Sequence, residues 1–161
     1  MNTIKPHVDR GSGEIIILLH GLFGALSNWK SVVDTFSKKY RVIIPRIPLT
    51  EVNVKEANLE SLTKSVSNFI EKFKLKNFTL IGNSLGGHIG LIYTIQNPAK
   101  VKRLVLTGSS GLYENSFGGS FPKRGDYNYI NERVNHTFYN PDILTKKYVV
   151  IIFKHFSLLF N

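Results

Sequence analysis

Residues 78–87 read Phe-Thr-Leu-Ile-Gly-Asn-Ser-Leu-Gly-Gly, an apolar run that gives way to a glycine-rich turn. The run predicts a strand, and the apolar residues that follow at helical spacing predict a helix that ends before Pro98. Between them, Gly82 to Gly86 has the pattern Gly-x-Ser-x-Gly. A serine raised above a sheet needs a very sharp strand-to-helix turn, in which only small side chains fit two residues before and after it. The pattern therefore makes Ser84 a candidate nucleophile.

Further apolar runs at residues 14–19, 40–44 and 101–106 predict three more strands. The first run lacks polar alternation, which is typical of a strand buried on both faces. Helical patterns lie between the strands, at residues 29–39 and 59–73, and Asn58 is the predicted N-cap of the second helix. Strands that alternate with helices predict an α/β fold with a mostly parallel sheet and helices on both of its faces.

A second motif follows the first predicted strand. It reads His20-Gly-Leu-Phe-Gly24, and Trp29 comes five residues later. Together with Gly-x-Ser-x-Gly in this order, it resembles the α/β-hydrolase family, firmly over residues 14–106 and less firmly to about residue 145. The resemblance covers the N-terminal part of the family's fold and is closest to esterase-like and carbon–carbon-bond hydrolases.

The resemblance implies a serine hydrolase that forms an acyl-enzyme. Ser84 would be the nucleophile, and the backbone amides of Leu22 and Leu85 would form the oxyanion hole. The amide of Phe23 is an alternative to that of Leu22. His20 is expected to shape its loop rather than to act as the base.

The acid and the base of the triad are not evident in the sequence. In this family they follow the serine in the order Asp or Glu, then His. His88 is expected to be a packing residue because it lies one helical turn after Ser84, whereas His136 and His155 lie downstream without the family's closing strand and helix. Glu114 and Asp126 are weak candidates for the acid.

These observations lead to the hypothesis of a truncated or frame-disrupted product. We expect one incomplete α/β-hydrolase domain over residues 1–161, with its core at 14–107, the start of a lid at 108–145 and an atypical apolar tail at 146–161. The alternative to an impaired hydrolase is a non-catalytic remnant that self-associates through an exposed sheet edge.

Composition limits the remaining possibilities. The chain has no cysteine, which excludes disulfides and thiol catalysis and fits a reducing compartment, and residues 1–13 do not resemble a signal peptide. We therefore expect a cytoplasmic protein with no cofactor, no bound metal and a small ester-like substrate. The net charge of +10 raises the question of an anionic partner. Because the basic residues form no continuous stripe along the sequence, we expect neither a nucleic-acid nor a membrane partner.

Overall fold

A computed structural model describes residues 7–21, 26–49, 58–112, 126–137 and 150 of the chain. The chain divides into two compact units, Met1–Glu114 and Asn115–Asn161. Among the described residues, no helix combines the length and the apolar character that crossing a bilayer requires.

The first unit is built on a five-stranded sheet. Its strands are β1 (His7–Arg10), β2 (Ile15–Leu19), β3 (Arg41–Pro45), β4 (Phe78–Asn83) and β5 (Val101–Thr107). A short 3₁₀ helix (Leu26–Trp29) leads into α1 (Lys30–Phe36), and α2 (Leu59–Lys72) and α3 (Leu85–Gln96) precede β4 and β5. The strand order is β1-β3-β2-β4-β5, with β1 antiparallel to β3 and the other pairs parallel. The predicted fold class, a mostly parallel α/β sheet, is confirmed.

Strand β1 was not predicted, because residues 7–10 contain no apolar run. Its pairing depends on β3, with His7 opposite Pro45 and Arg10 opposite Val42. Arg41 donates two hydrogen bonds to the Asp9 carboxylate, at 3.0 and 2.7 Å. These bonds hold the pKa of Asp9 below its ordinary value. The strand that pairs with β1 therefore lies about 30 residues away in sequence, so a local sequence pattern cannot predict the pairing.

The helices cover both faces of the sheet, as predicted. On one face α2 and α3 bury an apolar cluster with the strands, which includes Val66, Ile70, Leu80, Ile89 and Tyr93. On the other face α1 contributes Val33 to a smaller cluster with Ile16, Leu18, Val42 and Ile44. Each buried aliphatic side chain contributes roughly 1.5–3 kcal/mol relative to exposure. These clusters hold β2 and β4 rigidly side by side, and the site described below lies where these two strands end.

The helix α2 begins as the sequence predicts. Asn58 is its N-cap, and the Asn58 side chain accepts a hydrogen bond from the Ser61 amide at 2.9 Å. The Ser61 hydroxyl accepts one in return from the Asn58 amide, which completes a capping box. Such a cap contributes about 1 kcal/mol.

The second unit contains the helix α4 (Tyr127–Thr137). The Asp126 carboxylate accepts hydrogen bonds from the amides of Asn128 and Tyr129, at 2.9 and 3.1 Å. This weak candidate for the triad acid therefore caps a helix. The lid predicted at 108–145 is described only in part, and the tail predicted at 146–161 lies outside the described residues except for residue 150.

Candidate active site

Ser84 lies at the turn between β4 and α3. Its backbone has φ 52° and ψ −120°, a left-handed conformation that side chains other than glycine rarely adopt. Such a conformation costs on the order of 1–3 kcal/mol and persists only where the surroundings enforce it. The turn is therefore as sharp as the Gly-x-Ser-x-Gly pattern predicts, and Ser84 is the residue that carries the strain.

Two glycines make this sharp turn possible. A Cβ atom added at Gly82 would lie less than 3.0 Å from the backbone of Gly86 and Gly87. One added at Gly86 would lie less than 3.0 Å from the carbonyl groups of Leu19 and His20, at the end of β2. The first helical turn of α3 therefore presses directly on two strands, and any larger side chain would force them apart.

The turn is braced by the end of β5. The Thr107 carbonyl accepts hydrogen bonds from the Ser84 amide at 3.1 Å and from the Asn83 side-chain amide at 3.0 Å. Asn83 also donates to the Thr107 hydroxyl at 3.1 Å. This pair is not evident from the sequence. Asn83 occupies a variable position of the motif and Thr107 lies 24 residues later, so only the register of β4 and β5 brings them together.

The amino end of α3 offers free donors beside Ser84. The carbonyl of Ser84 accepts from the amides of Gly87 and His88, at 2.9 and 3.2 Å. Because a helix leaves its first amides without partners inside the helix, the Leu85 N–H is available to a negatively charged oxygen. This is the position at which Leu85 was predicted to stabilise an oxyanion.

The loop after β2 begins next to the serine. A Cβ atom added at Gly21 would lie 3.1 Å from the Ser84 Cβ. Leu22, the other predicted oxyanion donor, follows Gly21 directly but lies outside the described residues, as does Phe23.

His20 is a buried residue of this loop, with 4% of its surface exposed. Its Nδ1 donates a hydrogen bond to the Gly21 carbonyl at 2.9 Å. Burial lowers the pKa of His20, and this hydrogen bond opposes the shift only in part. A neutral ring that is bonded to its own loop fits the structural role that the sequence analysis expects of it.

The other described histidine side chains also have packing contacts. The His88 Nδ1 lies 3.4 Å from the Ser110 hydroxyl, and its ring occupies the space where Gly111 would carry a Cβ. His7 packs edge-on against Phe69 and Phe73. Within the described part of the chain, Ser84 Oγ has no hydrogen bond to a histidine. The side chain of His136, and the whole of His155 and Glu114, lie outside the described residues.

No metal cluster is found where side chains are described, since no three His, Asp or Glu residues gather there. Around the turn, the described residues place a strained serine beside the amides at the start of α3.

Comparison with known sequences points to one family. A family model for the alpha/beta hydrolase fold matches residues 14–139. The chain is 31% identical over 111 residues to a 2-hydroxy-6-oxo-2,4-heptadienoate hydrolase of Pseudomonas putida, which covers 65% of this chain and 40% of that protein. It is 29% identical over 153 residues to a 2-hydroxymuconate semialdehyde hydrolase of a Pseudomonas strain, with coverages of 90% and 49%.

Solved structures agree. A putative lipase from Acinetobacter baumannii superposes with a TM-score of 0.73 at 26% identity, over 95% of this chain and 56% of the lipase. An alpha/beta hydrolase enzyme from the metagenome of lagoon sediments is 41% identical, with a TM-score of 0.62 over 67% of this chain and 50% of the enzyme. The chain thus spans about half the length of the proteins that it matches.

Proposed function

This chain belongs to the alpha/beta hydrolase fold family, and from that premise we propose that it is an esterase-like hydrolase whose nucleophile is Ser84. The observation that carries the proposal is the backbone of Ser84, which is held at φ 52° between the end of β4 and the start of α3. Strain of this kind is concentrated at functional sites. Here it raises a hydroxyl to the edge of the sheet at which the strands β2, β4 and β5 end.

In the proposed reaction, Ser84 Oγ attacks the carbonyl carbon of an ester or a related carbonyl substrate. The oxyanion that forms accepts hydrogen bonds from the Leu85 amide and, by resemblance to the family, from the Leu22 amide. The tetrahedral intermediate then expels the alcohol and leaves an acyl group on Ser84, which water hydrolyses. Two of the relatives named above are hydrolases of 2-hydroxy-6-oxo-2,4-heptadienoate and of 2-hydroxymuconate semialdehyde, so an unsaturated oxo acid is a candidate substrate beside an ester.

Ser84 must give its hydroxyl proton to a general base as it attacks the substrate. We propose that the lack of a base in hydrogen-bond contact with Ser84 limits the rate of acylation in this chain. None of the histidine side chains at positions 7, 20 and 88 hydrogen-bonds to Ser84, and each has another packing environment. General bases contribute typically 10²–10⁴-fold to the rate. Without one, the oxyanion hole and binding supply only a residual rate. We therefore expect slow, serine-dependent acylation.

Chemical rescue tests this proposal. We expect the hydrolysis of p-nitrophenyl acetate by the chain to be slow and to increase when imidazole is added as an external base. Ser84→Ala serves as the control for the reaction of imidazole itself, and Ser109→Ala preserves the proposed nucleophile. A parent rate equal to that of Ser84→Ala, with and without imidazole, would contradict the proposal.

A second candidate function is that of a non-catalytic protein that self-associates. The edge of β5 favours this candidate. β5 pairs with β4 on one side, and in the described residues no strand pairs with its other side. Val105, in the middle of this strand, is 41% exposed. Unpaired apolar edges are templates for association.

Size-exclusion chromatography with light scattering tests this second candidate. Under it, the parent chain forms dimers or larger species as its concentration rises, and Val105→Lys shifts the population toward monomer. A chain that stays monomeric at high concentration would exclude this form of association.

A further inference from the structure

The amino ends of the parallel strands form one edge of the sheet, opposite Ser84, and positive charge gathers there. Three separate turns supply it: the turn before β3, the turn before β4, and the turn before β5 together with the start of that strand. We call this the basic edge, and its residues are Lys38, Lys39, Lys72, Lys74, Lys76, Lys100, Lys102 and Arg103. All are exposed except the half-buried Lys100.

Contacts tie these turns into one surface. The Lys100 carbonyl accepts a hydrogen bond from the Phe78 amide, at the start of β4. Lys102 on β5 reaches past β4 to Glu14, before β2, at 2.8 Å. Glu14 in turn accepts a bond through its carbonyl from the Arg41 amide, at the start of β3. Since neighbouring strands lie about 4.8 Å apart, these charges fall within one to two Debye lengths of about 8 Å at physiological salt.

The basic edge keeps most of its charge. Among the described residues, its two acidic neighbours are Glu71, which pairs with Lys100, and Glu14, which pairs with Lys102. Eight basic side chains against two acidic ones leave a net charge of +6. Nearby, Arg10 and Lys30 share the Asp34 carboxylate and Arg41 pairs with Asp9, so these three basic and two acidic side chains add a net charge of only +1.

Two large apolar side chains are exposed at the carboxyl ends of α1 and α3. Ile95, in the last turn of α3, is 71% exposed, and Phe36, at the end of α1, is 42% exposed. Since these helices run back from the carboxyl ends of the strands, both residues lie toward the basic edge, one on each face of the sheet. Basic residues interspersed with exposed aliphatic and aromatic side chains are typical of surfaces that lie on a membrane.

We propose that the basic edge docks on an anionic phospholipid bilayer. Lysine supplies seven of its eight charges, and a surface of lysines attracts anionic headgroups without reading a sequence. Nucleic-acid recognition draws on arginine forks and stacking aromatic groups, and the only arginine here is Arg103. From Phe78 to Ser84 the chain rises about 20 Å, so docking would leave the proposed nucleophile facing away from the bilayer. Only the sheet brings these lysines together, which is why the sequence alone leads to the expectation of no membrane partner.

Vesicle co-sedimentation with the full chain tests the proposal. The chain is expected to bind vesicles of phosphatidylserine and phosphatidylcholine at low salt, to release at high salt, and not to bind phosphatidylcholine alone. Lys74→Gln/Lys76→Gln should weaken binding about tenfold, since each lysine at an anionic surface contributes severalfold. Lys38→Gln/Lys39→Gln, on the other side of the basic edge, should weaken it similarly. Ile95→Ser should weaken vesicle binding without affecting salt release.

The matched control is Arg46→Gln/Lys64→Gln, which removes the same charge from the residue after β3 and from the first half of α2, toward the other edge of the sheet. It should bind as the parent does. Circular dichroism verifies that every variant is folded. A folded parent that does not bind anionic vesicles, edge variants of both pairs that bind as tightly as the parent, or binding to DNA but not to vesicles would each overturn the proposal.

Discussion

Ser84 is the residue at which local preference and the observed backbone conflict. A serine gains nothing from φ 52°, so the conformation is imposed by the packing of α3 on β2 and β4 and by the brace from Thr107. The pattern Gly-x-Ser-x-Gly predicts this conflict from the sequence. The brace through Asn83 could not be predicted, because its partner is fixed only by strand register.

Substitutions at Ser84 measure the strain directly. Only glycine adopts this conformation without steric cost, so Ser84→Gly should be more stable than Ser84→Ala by about 1 kcal/mol. At Ser65, inside α2, the alanine variant should instead be more stable than the glycine variant by about 1 kcal/mol, because glycine is the poorer helix former. Urea unfolding of the four variants measures both differences. Alanine proving the more stable residue at both positions would show that Ser84 is unstrained.

His20 gives the fold a dependence on acid. Its pKa is lowered in the folded chain, mainly by burial, so the unfolded chain binds the proton more readily. The free energy of unfolding should therefore be fully retained above the unfolded pKa of about 6.5 and should fall as the pH drops below it, by at most about 1.4 kcal/mol per pH unit for one proton.

Urea unfolding of the parent and of His20→Gln at pH 7.5 and pH 5.5 tests this expectation. The parent should lose more stability between the two values than the variant, since the variant keeps every other titrating group. Equal losses would mean that His20 is not buried as a neutral ring.

At the scale of elements, α3 is the helix on which the site depends. Its amino end presses on β2 and β4, and its length carries the buried residues Ile89 and Tyr93 into the core. The sequence predicts this helix, along with four of the five strands, because their apolar periodicity is local. It does not predict β1, whose register and whose ion pair between Asp9 and Arg41 depend on β3.

Alanine substitutions at two glycines of α3 distinguish the effect of close packing on stability from the effect of helix propensity. Gly86→Ala places a Cβ against the carbonyls of Leu19 and His20 and should destabilise the fold by about 1–3 kcal/mol. Gly90→Ala places it 3.4 Å from the Leu80 side chain, an ordinary contact, and should stabilise the helix by up to about 1 kcal/mol. Chemical denaturation compares the two. Similar effects of both substitutions would mean that the elbow is not tightly packed.

At the scale of the whole molecule, the described part of the chain holds a sheet, a strained serine and a basic edge opposite it. The family and the fold follow from two motifs in the right order. The basic edge cannot be predicted from the sequence motifs, since its lysines are far apart in sequence and come together only where the parallel strands begin. The base and the acid of a triad likewise cannot be identified from a local sequence pattern, because loops after other strands bring these groups to the serine.

Labelling with a fluorophosphonate probe, followed by mass spectrometry of the modified peptide, tests whether Ser84 is the nucleophile. We expect a slow adduct on Ser84, retained in Ser109→Ala and absent from Ser84→Ala. A folded chain that forms no adduct, or forms it on another residue, would contradict the assignment of Ser84 as the nucleophile.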